Sequence, residues 1–569
     1  MAAQIAALFA VLLCVWSAAA AAQRGDAGDS ARVRGAARQA VARFERTRMT
    51  HLPRGVGSAT AATPCPTRVG GMCHWPEDED APDPPAEDPA VGAARDGAIA
   101  LLDSARRLEP ADPWLIGEQV RLDVEGGRTA DAVAAARGCT AQPIWCAELA
   151  GYAFHAAQQY AAADSAFDVA LREMPTPGRC KWEDLGALLE GRLADRFARG
   201  DCAARERMGH RIWWLASPLY LVSEVDARTA YYSRLVRARI ADLEPTGEPF
   251  GWNDDVRAVA LRYGWPLWYS QDPPAPGAIT APAVVGHERS DAYYFFPTVR
   301  ALDSLGVSDA SDWALSESHA PAAYAPAYLR SLHTLDVSVA RFRRADDSTL
   351  IVVAWDASAD TALRSAGLRA GLFVARDPDS TLSKQLRDAK PRGALAVTTG
   401  AREALVSVEL LNGSTHRAAR ARFGVRALEA SGFGLSDLLL FTPSTELPAH
   451  LDDAAARAIA SAADTRVVGL YWEVYTPGDT AASIHMHLRI APVRRSWLGR
   501  VVARFRSGAS ALALQWDEPL SAAGRTSRAL RVDLSGLRPG LYRMELEATD
   551  AARHRTQSAS RDMVLPGGA

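Results

Sequence analysis

The spacing of apolar residues changes along the chain near His333. Before this point apolar positions recur every three or four residues, the period of an amphipathic helix, most clearly from Ala90 to about Leu243. After it, short segments alternate apolar and polar residues with the period of two that is typical of strands. The sequence therefore predicts a multidomain protein with an all-α region followed by an all-β region.

Small and aromatic residues recur in the helical region, predicted at 90–244. The recurring positions are Gly151, Phe154, Ala163, Phe167, Ala170 and Pro175, with Gly117 and Ala136 upstream. This spacing resembles a tetratricopeptide unit, in which small residues let two antiparallel helices approach each other. A helical array without true repeats is the alternative.

The strand-like segments fall into two groups, predicted as β-sandwiches at 333–445 and 465–569 with a helical linker at 446–464. The segments are Val337–Phe342, Thr349–Trp355, Leu405–Leu411, Arg417–Val425, Leu438–Thr442, Val467–Tyr475, His485–Ile490, Val501–Arg506, Leu512–Trp516, Leu530–Leu534, Tyr542–Thr549 and Asp562–Leu565. Asn412-Gly413 predicts a tight hairpin, because both residues accept positive φ. The stretch Asp533–Tyr542 resembles a turn of extracellular immunoglobulin-like modules.

Residues 245–332 form an aromatic, proline-containing connector between these regions. Gly251-Trp252-Asn253-Asp254-Asp255 precedes Leu261-Arg262-Tyr263-Gly264-Trp265-Pro266. This segment resembles the GWxTD segment of secreted bacterial proteins, most of which are uncharacterised, although Asn253-Asp254 stands where the motif has any residue and Thr. The resemblance implies helical repeats combined with immunoglobulin-like sheets, and it implies no known catalytic activity.

The N-terminus predicts export from the cytoplasm. Residues 1–22 lack charged side chains and contain an apolar stretch followed by small residues, as in a cleavable signal peptide. Residues 23–89 then predict one helix, Gln23 to about Arg48, and a solvated proline-rich linker at Glu77–Asp88. No later segment is long and apolar enough to predict a membrane span. We expect a soluble extracytoplasmic protein, periplasmic or secreted.

Six cysteines remain after removal of Cys14 with the signal peptide, and they lie in close pairs. The pairs are Cys65 with Cys73, Cys139 with Cys146, and Cys180 with Cys202. The two cysteines of the last pair flank a predicted helix from Trp182 to Ala198. An even number of cysteines in an oxidising compartment predicts three disulfides, with neighbour pairing preferred among the possible connectivities.

Charge and motifs exclude several classes of function. The chain has 64 Lys and Arg against 67 Asp and Glu, so its formal charge of -3 provides no global field for nucleic acid. No lysine follows a glycine as in a phosphate-binding loop, and neither HExxH nor GxSxG occurs. The sequence assigns no catalytic residue, no cofactor-binding residue and no metal ligand.

Three groups of residues remain as weak candidates for a functional site. His485 and His487 share one face of a predicted strand, but no third metal ligand is identifiable. Asp254 and Asp255 beside Trp252 suit a sugar-binding platform, although we expect them to cap a helix that begins near Val256. We interpret Glu473 as a solvent-facing strand residue. The candidate binding or junction residues are Trp252, Asp254, Asp255, Tyr263, Trp265 and Trp268.

The sequence thus predicts a non-enzymatic binding or scaffolding protein that recognises an unidentified protein or peptide through its helical array. The alternative is a carbohydrate- or cell-wall-binding or processing protein that uses Trp252, Trp265 and Trp268 with Asp254 and Asp255. Retention of the chain on insoluble glycan separates the two classes.

The cysteine spacing generates a test by intact mass. Alkylation of the mature chain without reductant should modify none of the six remaining cysteines, and alkylation after reduction should modify all six. Six thiols that react freely before reduction would contradict the disulfide assignment.

Overall fold

The structure is a computed structural model that describes residues 30–565, apart from 56–63, 71, 76, 78–82, 244–250, 273–282, 289–291, 316–320, 345–346, 401–402, 430–431, 463–465, 477–482, 494–511, 520–523 and 552–553. The predicted signal peptide and the predicted strand Val501–Arg506 lie outside the described residues. Among the described residues, no helix has both the length and the apolar character needed to cross a membrane.

The chain forms two compact units. The first contains residues 1–218, 223–296 and 316–327, and the second contains 219–222, 297–315 and 328–569. Helices dominate the first unit and sheets the second, which confirms the predicted order of secondary structure. The predicted connector at 245–332 is divided between the two units.

The first unit is built from consecutive helices. They are α1 (30–50), α2 (Pro89–Leu108), α3 (Pro113–Glu125), α4 (Thr129–Arg137), α5 (Pro143–Ala156), α6 (Tyr160–Glu173), α7 (Thr176–Trp182), α8 (Gly191–Ala198), α9 (Cys202–Ala216), α10 (Asp226–Leu243) and α11 (Asp254–Tyr263). Proline occupies the first position of α2, α3 and α5. A backbone N–H at this position would have no acceptor within the helix, so proline, which lacks the N–H, costs no hydrogen bond there. Two hairpins complete the unit: β1 (Thr67–Val69) with β2 (Met72–His74), and β3 (Trp268–Asp272) with β4 (Ala283–His287).

Helix α10 lies at the centre of the first unit and packs against α3, α5, α6, α9 and α11. It is buried along most of its length although it carries several arginines. Arg239 binds the buried carboxylate of Glu148 on α5 at 2.6 Å, and Arg237 binds Glu125 on α3 at 2.9 Å. Each guanidinium therefore links α10 to a different neighbour.

Disulfides join all three predicted cysteine pairs, with Cα–Cα distances of 5.7 Å for Cys65–Cys73, 5.5 Å for Cys139–Cys146 and 5.6 Å for Cys180–Cys202. The predicted helix from Trp182 to Ala198 is wrong in extent. Residues 183–190 separate α7 from α8, and Gly191 at the start of α8 has φ +51°. The positive φ suits glycine and marks the change in chain direction.

The described residues of the second unit form four sheets. Their strands are β5 (Ser331–Thr334), β6 (Asp336–Arg343), β7 (Thr349–Asp356), β8 (Leu368–Ala375), β9 (Leu382–Leu386), β10 (Arg392–Thr399), β11 (Glu403–Asn412), β12 (Arg417–Arg426), β13 (Gly434–Leu435), β14 (Leu439–Phe441), β15 (Val467–Tyr475), β16 (Ser483–Pro492), β17 (Leu512–Pro519), β18 (Arg525–Asp533), β19 (Gly540–Asp550) and β20 (Arg555–Leu565). Sheet A has the order β5-β12-β11-β8-β9 and sheet B the order β10-β7-β6. Sheet C contains β13, β14, β15 and β18, and sheet D has the order β17-β16-β19-β20. Helix α12 (Val299–Asp303) precedes β5, and α13 (Leu451–Ala456) lies between β14 and β15.

In the part of the chain that the structure describes, these four sheets enclose three apolar cores. One core lies between sheets A and B, a second joins β6 and β7 of sheet B to β14, β15 and α13, and a third lies between sheets C and D. On β7, Ile351 and Val353 belong to the first core, whereas Val352 and Ala354 belong to the second. Sheets B and C are thus buried on both faces, and their central strands read as continuous apolar runs for this reason.

The hairpin predicted at Asn412-Gly413 connects β11 to β12, but its turn is longer than predicted. Residues 413–416 form the turn, and the positive φ of 55° belongs to His416. The side-chain oxygen of Asn412 accepts the backbone N–H groups of Ser414 and Thr415 at 3.0 and 3.2 Å. Asn412 therefore stabilises the turn through its side chain and not through a left-handed backbone.

Residues 219–222 belong to the second unit and contact a buried ion pair on β11 and β12. Glu409, fully buried on β11, accepts the Leu221 backbone N–H at 2.8 Å and the Arg422 guanidinium at 3.2 Å. The same guanidinium lies 4.0 Å from the ring centroid of Tyr220. Removal of any partner would leave a buried charge with fewer hydrogen bonds.

The turn at Leu305–Val307 packs directly on β12. The Gly424 N–H donates to the Ser308 carbonyl at 2.8 Å, and a Cβ at Gly424 would overlap the carbonyl oxygen of Leu305. We expect Gly424→Ala to destabilise the sheet unit by about 1 to 3 kcal/mol, since a backbone clash cannot relax through a rotamer change. Gly413→Ala is the control, because a Cβ there has nothing within 4 Å. Calorimetric melting of both variants would test this, and equal melting temperatures would contradict the packing.

Candidate functional site

Helix α11 carries the GWxTD-like segment, and Asn253 caps its N-terminus. The Asn253 side chain accepts the Val256 N–H at 3.0 Å. Asp254 and Asp255 lie inside the first turn, where a carboxylate complements the helix dipole, so the prediction that they cap a helix beginning near Val256 is wrong. Asp254 is exposed, whereas Asp255 packs closely against Gly70 in the turn between β1 and β2.

A cavity of about 260 Å³ lies between α11 and the two hairpins. Its lining residues include aromatic rings, apolar side chains and a carboxylate: Met72, Cys73, His74, Trp75, Val256, Val259, Ala260, Gly264, Trp265, Pro266, Tyr269, Val284, Gly286 and Glu288. Mostly apolar walls with a few polar groups are typical of ligand-binding cavities. Another space in the same unit, beside Trp213 and Tyr324, holds only about 30 Å³, room for one water molecule.

One face of the β3–β4 hairpin forms one wall of this cavity. Tyr269 pairs with Gly286 across the hairpin, and Val284, Gly286 and Glu288 alternate along one side of the chain. A Cβ at Gly286 would lie 2.6 Å from Cγ of Pro266. Glycine is therefore needed at this position for Pro266 to approach the strand.

Trp265 is held between two neighbours at the cavity rim. Its ring stacks on Trp252 with centroids 6.1 Å apart, and the Arg237 guanidinium lies 4.3 Å from its centroid. The indole N–H of Trp252 donates to Asp242 at 2.7 Å. Trp252 is half-buried.

Buried polar groups form the cavity floor. His74 stacks on Tyr263 with centroids 3.7 Å apart, and its Nδ1 lies 3.9 Å from Oε1 of Glu288. Burial raises the pKa of Glu288 to about 8, while the positive charge of Arg234 acts in the opposite direction. Arg234 donates to the carbonyls of Arg262 and Ala323 at 2.9 and 2.6 Å. At neutral pH the Glu288 carboxyl is therefore largely protonated in the free protein.

The opposite face of the β3–β4 hairpin carries a hydrogen-bonded series of Ser270, His287 and Glu77. Ser270 Oγ lies 2.6 Å from His287 Nε2, and His287 Nδ1 bonds to Glu77. Trp268 stacks on His287 with centroids 3.7 Å apart. Glu77 is buried, so the prediction of a solvated linker from Glu77 onward is wrong at its first residue.

This order of groups is that of a Ser–His–carboxylate triad, but among the described residues Ser270 is buried and does not reach the cavity. Its exposed fraction is 1%, His287 is fully buried, and neither lines the cavity on the other face of the hairpin. A nucleophile needs space for a reacting atom about 3 Å away. The series is therefore a structural link that ties the Glu77 segment to the hairpin.

The structure brings some of the predicted residues together and separates others. Trp252, Tyr263 and Trp265 lie at or behind the cavity wall, Asp255 lies against the β1–β2 turn, and Trp268 faces the other side of the hairpin. His74, Trp75, Tyr269 and Glu288 also line the cavity, although no sequence motif singles them out. The alternation of side chains along β4 indicates that Glu288 shares a face with Val284 and Gly286. The position of His74 beside the cavity depends instead on the β1–β2 hairpin, which the Cys65–Cys73 disulfide closes.

The remaining sequence candidates lie in the second unit. His485 bonds to Asp517 on β17 at 3.1 Å, whereas His487 lies 3.6 Å from Glu547 on β19, so each imidazole has its own carboxylate. Glu473 has an exposed fraction of 1% and binds Arg344 at 3.0 Å and the Tyr475 hydroxyl at 2.9 Å. The prediction of a solvent-facing Glu473 is wrong, because both faces of sheet C are covered.

The burial of Ser270 generates a chemical test. We expect a fluorophosphonate probe to leave Ser270 unmodified in the native chain, and Ser270→Ala to lower stability by about 1 kcal/mol through one lost hydrogen bond. Mass spectrometry of the labelled chain detects the adduct. A covalent adduct on Ser270 that requires His287 would show that the series is catalytic.

Comparisons with known proteins assign no family to the chain. No protein-family model matches it, and no curated protein matches it with significance. Among solved structures, the FN1–FN3 domains of chicken CNTN1 match 41% of this chain and 67% of their own, at 9% identity and a TM-score of 0.15. A calcium-binding mutant of β-glucuronidase 2 from Bacteroides uniformis matches 48% of this chain and 32% of its own, at 10% identity and a TM-score of 0.15. A β-glucuronidase of the same organism matches 39% and 26%, at 11% identity and a TM-score of 0.16. The chain thus covers a third or less of either β-glucuronidase, and TM-scores this low assign neither fold nor activity.

Proposed function

We propose that the chain is a non-enzymatic extracytoplasmic binding protein whose aromatic cavity receives a basic side chain of a peptide or protein partner. The observation that carries this proposal is the combination of a 260 Å³ cavity, aromatic walls and the carboxyl group of Glu288. A cation gains from both the rings and the carboxylate in such a cavity. The three disulfides fit an oxidising compartment.

The electrostatics of Glu288 support a cationic ligand over a neutral one. A buried carboxyl group with a pKa near 8 costs free energy to ionise, and a ligand cation next to it offsets that cost. The positive charge of Arg234 lowers the Glu288 pKa, but its donors are directed at the backbone carbonyls of Leu261, Arg262 and Ala323. The cavity therefore offers negative potential to a ligand when Glu288 is ionised.

The geometry gives less support to the glycan alternative. A sugar platform requires exposed ring faces, but Trp265 is covered by Trp252 and Arg237, and Trp268 is covered by His287. Asp254 and Asp255 lie in the first turn of α11, and neither lines the cavity. Glycan binding remains an outcome of the experiment below and not a second proposal.

The proposed scaffold has tetratricopeptide-like repeats. Gly151 on α5 faces Phe167 on α6, and a Cβ at Gly151 would lie 2.5 Å from that ring. Ala163, Phe167 and Ala170 are buried in the same seam. This close approach of a small residue and an aromatic ring is the packing that the repeat requires.

The C-terminal sheets would act as immunoglobulin-like spacers, in keeping with the proposed relation to GWxTD-containing secreted proteins. Antiparallel strands dominate each of the four sheets, and apolar residues from facing sheets fill each core. A rigid spacer of this kind holds a recognition site away from a surface without contributing chemistry of its own.

A pH-resolved binding experiment tests the proposal. The probes are acetylated Gly-Gly-X-Gly-Gly peptides with X as Arg, Lys, Leu or Glu, titrated into the disulfide-intact chain. We expect only the Arg and Lys peptides to bind, with affinity rising about tenfold per pH unit between pH 6 and 7. The sign follows from Glu288: its pKa of about 8 in the free protein must fall when a cation binds, so binding releases a proton.

Variants make the test specific to the cavity. Glu288→Gln should abolish both the affinity for basic peptides and its pH dependence, while Glu173→Gln, at an exposed position on α6, should bind as the parent does. Equal affinity for the Leu and Arg peptides would contradict the proposal. If the chain is retained on insoluble glycan and Trp265→Ala abolishes this retention, the carbohydrate-binding alternative would replace the proposal.

A further inference from the structure

Three potential metal ligands meet where α7 and α9 are joined by the Cys180–Cys202 disulfide. Glu183 directly follows α7, and Glu206 and His210 lie on α9. One ligand atom from each side chain lies within 4.8 Å of the others. This cluster is made of residues that the cavity and the sequence motifs do not use.

The local sequence explains why these side chains converge. Glu206 and His210 are four residues apart on one helix, so they project from the same face. The disulfide fixes the end of α7 beside the start of α9, with Cα atoms 5.6 Å apart. Glu183 follows Cys180 by three residues, which places its carboxylate opposite the first turns of α9.

Glu183 is a buried carboxyl group with an unsatisfied oxygen. Its exposed fraction is 7%, and its Oε2 has no hydrogen-bond partner within the described part of the chain. Burial, followed by the neighbouring charge of Glu206, raises the pKa of Glu183 to about 7. Buried carboxyl oxygens in native proteins nearly always have a partner, because desolvation without one is costly.

Nearby arginines do not satisfy this oxygen. Arg228 directs its guanidinium to Asp164 and Asp168, with 2.6 Å to the second, and lies 5.0 Å from the ring centroid of Tyr232. Arg179 on α7 adds a favourable charge for Glu183, but no hydrogen bond from it reaches Oε2. The cluster thus combines two carboxylates and one imidazole, and one buried oxygen of Glu183 has no hydrogen bond within the described residues.

We propose that Glu183, Glu206 and His210 bind one divalent transition-metal cation, with Zn²⁺ as the favoured ion. Carboxylate oxygen and imidazole nitrogen are both common Zn²⁺ ligands, and three protein ligands leave a fourth position for water. His210 is exposed and Glu206 half-buried, so the cation has a path from solvent. The ion would link the same two helices that the disulfide links.

The geometry requires only side-chain adjustment. Ligands of a tetrahedral Zn²⁺ at about 2.0 to 2.1 Å from the metal lie about 3.3 Å from each other. From separations of up to 4.8 Å, the ligand atoms need to approach by about 1.5 Å at most. The partly exposed side chains of Glu206 and His210 have the rotamer freedom to do so.

Calorimetric titration of ZnCl₂ into the chelator-treated, disulfide-intact chain tests the site. We expect saturable one-to-one binding that weakens at least tenfold in Glu183→Gln, Glu206→Gln and His210→Ala. Exposed residues of the same types provide matched controls, so Glu173→Gln and His51→Ala should bind as the parent does. Parental affinity in the three site variants, or no saturable binding by the parent, would overturn the proposal.

Two further readouts separate metal binding from a fold defect. Without Zn²⁺, Glu183→Gln should melt at or above the parental temperature, because it removes a buried carboxylate, but Zn²⁺ should no longer raise its melting temperature. X-ray absorption of the Zn²⁺ complex should show only nitrogen and oxygen ligands. Sulfur ligands, or binding lost only in a His485→Ala, His487→Ala variant, would place the ion elsewhere and overturn the assignment.

Discussion

The need to satisfy the guanidinium groups of α10 organises the helical unit. A helix buried over most of its length cannot leave arginines unpaired, since an uncompensated buried charge costs several kcal/mol. Arg228 is satisfied by carboxylates of α6, Arg237 by α3, and Arg239 by α5, while Arg234 takes the backbone carbonyls at the end of α11. Because the four guanidinium groups point to different neighbours, pairing fixes the positions of those helices around α10.

An arginine of α10 acts on a carboxyl group at each proposed site. Arg234 opposes the rise that burial causes in the pKa of Glu288. At Glu183, where burial and the charge of Glu206 raise the pKa, Arg179 of α7 and then Arg228 oppose the rise. In both places the arginine is already bonded elsewhere, so it attenuates a buried negative charge without removing it. The two proposed sites thus have one feature in common: each contains a carboxyl group whose pKa is raised first by burial.

Local features of this fold could be predicted from the sequence, and contacts over long separations could not. The disulfide pairs are separated by 7 to 22 residues, and spacing alone indicated them. Glu77 bonds to His287 across 210 residues, and Glu473 is buried by sheets whose stacking no periodicity reveals. The apolar run Thr349–Trp355 predicted a strand, but its two-sided burial follows only from the position of sheet B between two cores. The cavity was missed for the same reason, since its walls come from three separate segments.

The Cys65–Cys73 disulfide has a consequence for the biogenesis of the cavity. Cys73 and His74 form part of the cavity wall, and the β1–β2 hairpin that carries them is only six paired residues long. An isolated hairpin of this size is marginally stable in water. While the thiols are reduced, this part of the wall therefore depends on tertiary packing, including that of β1 and β2 on α11. The order of this cavity wall is thus coupled to the redox state of the Cys65–Cys73 pair.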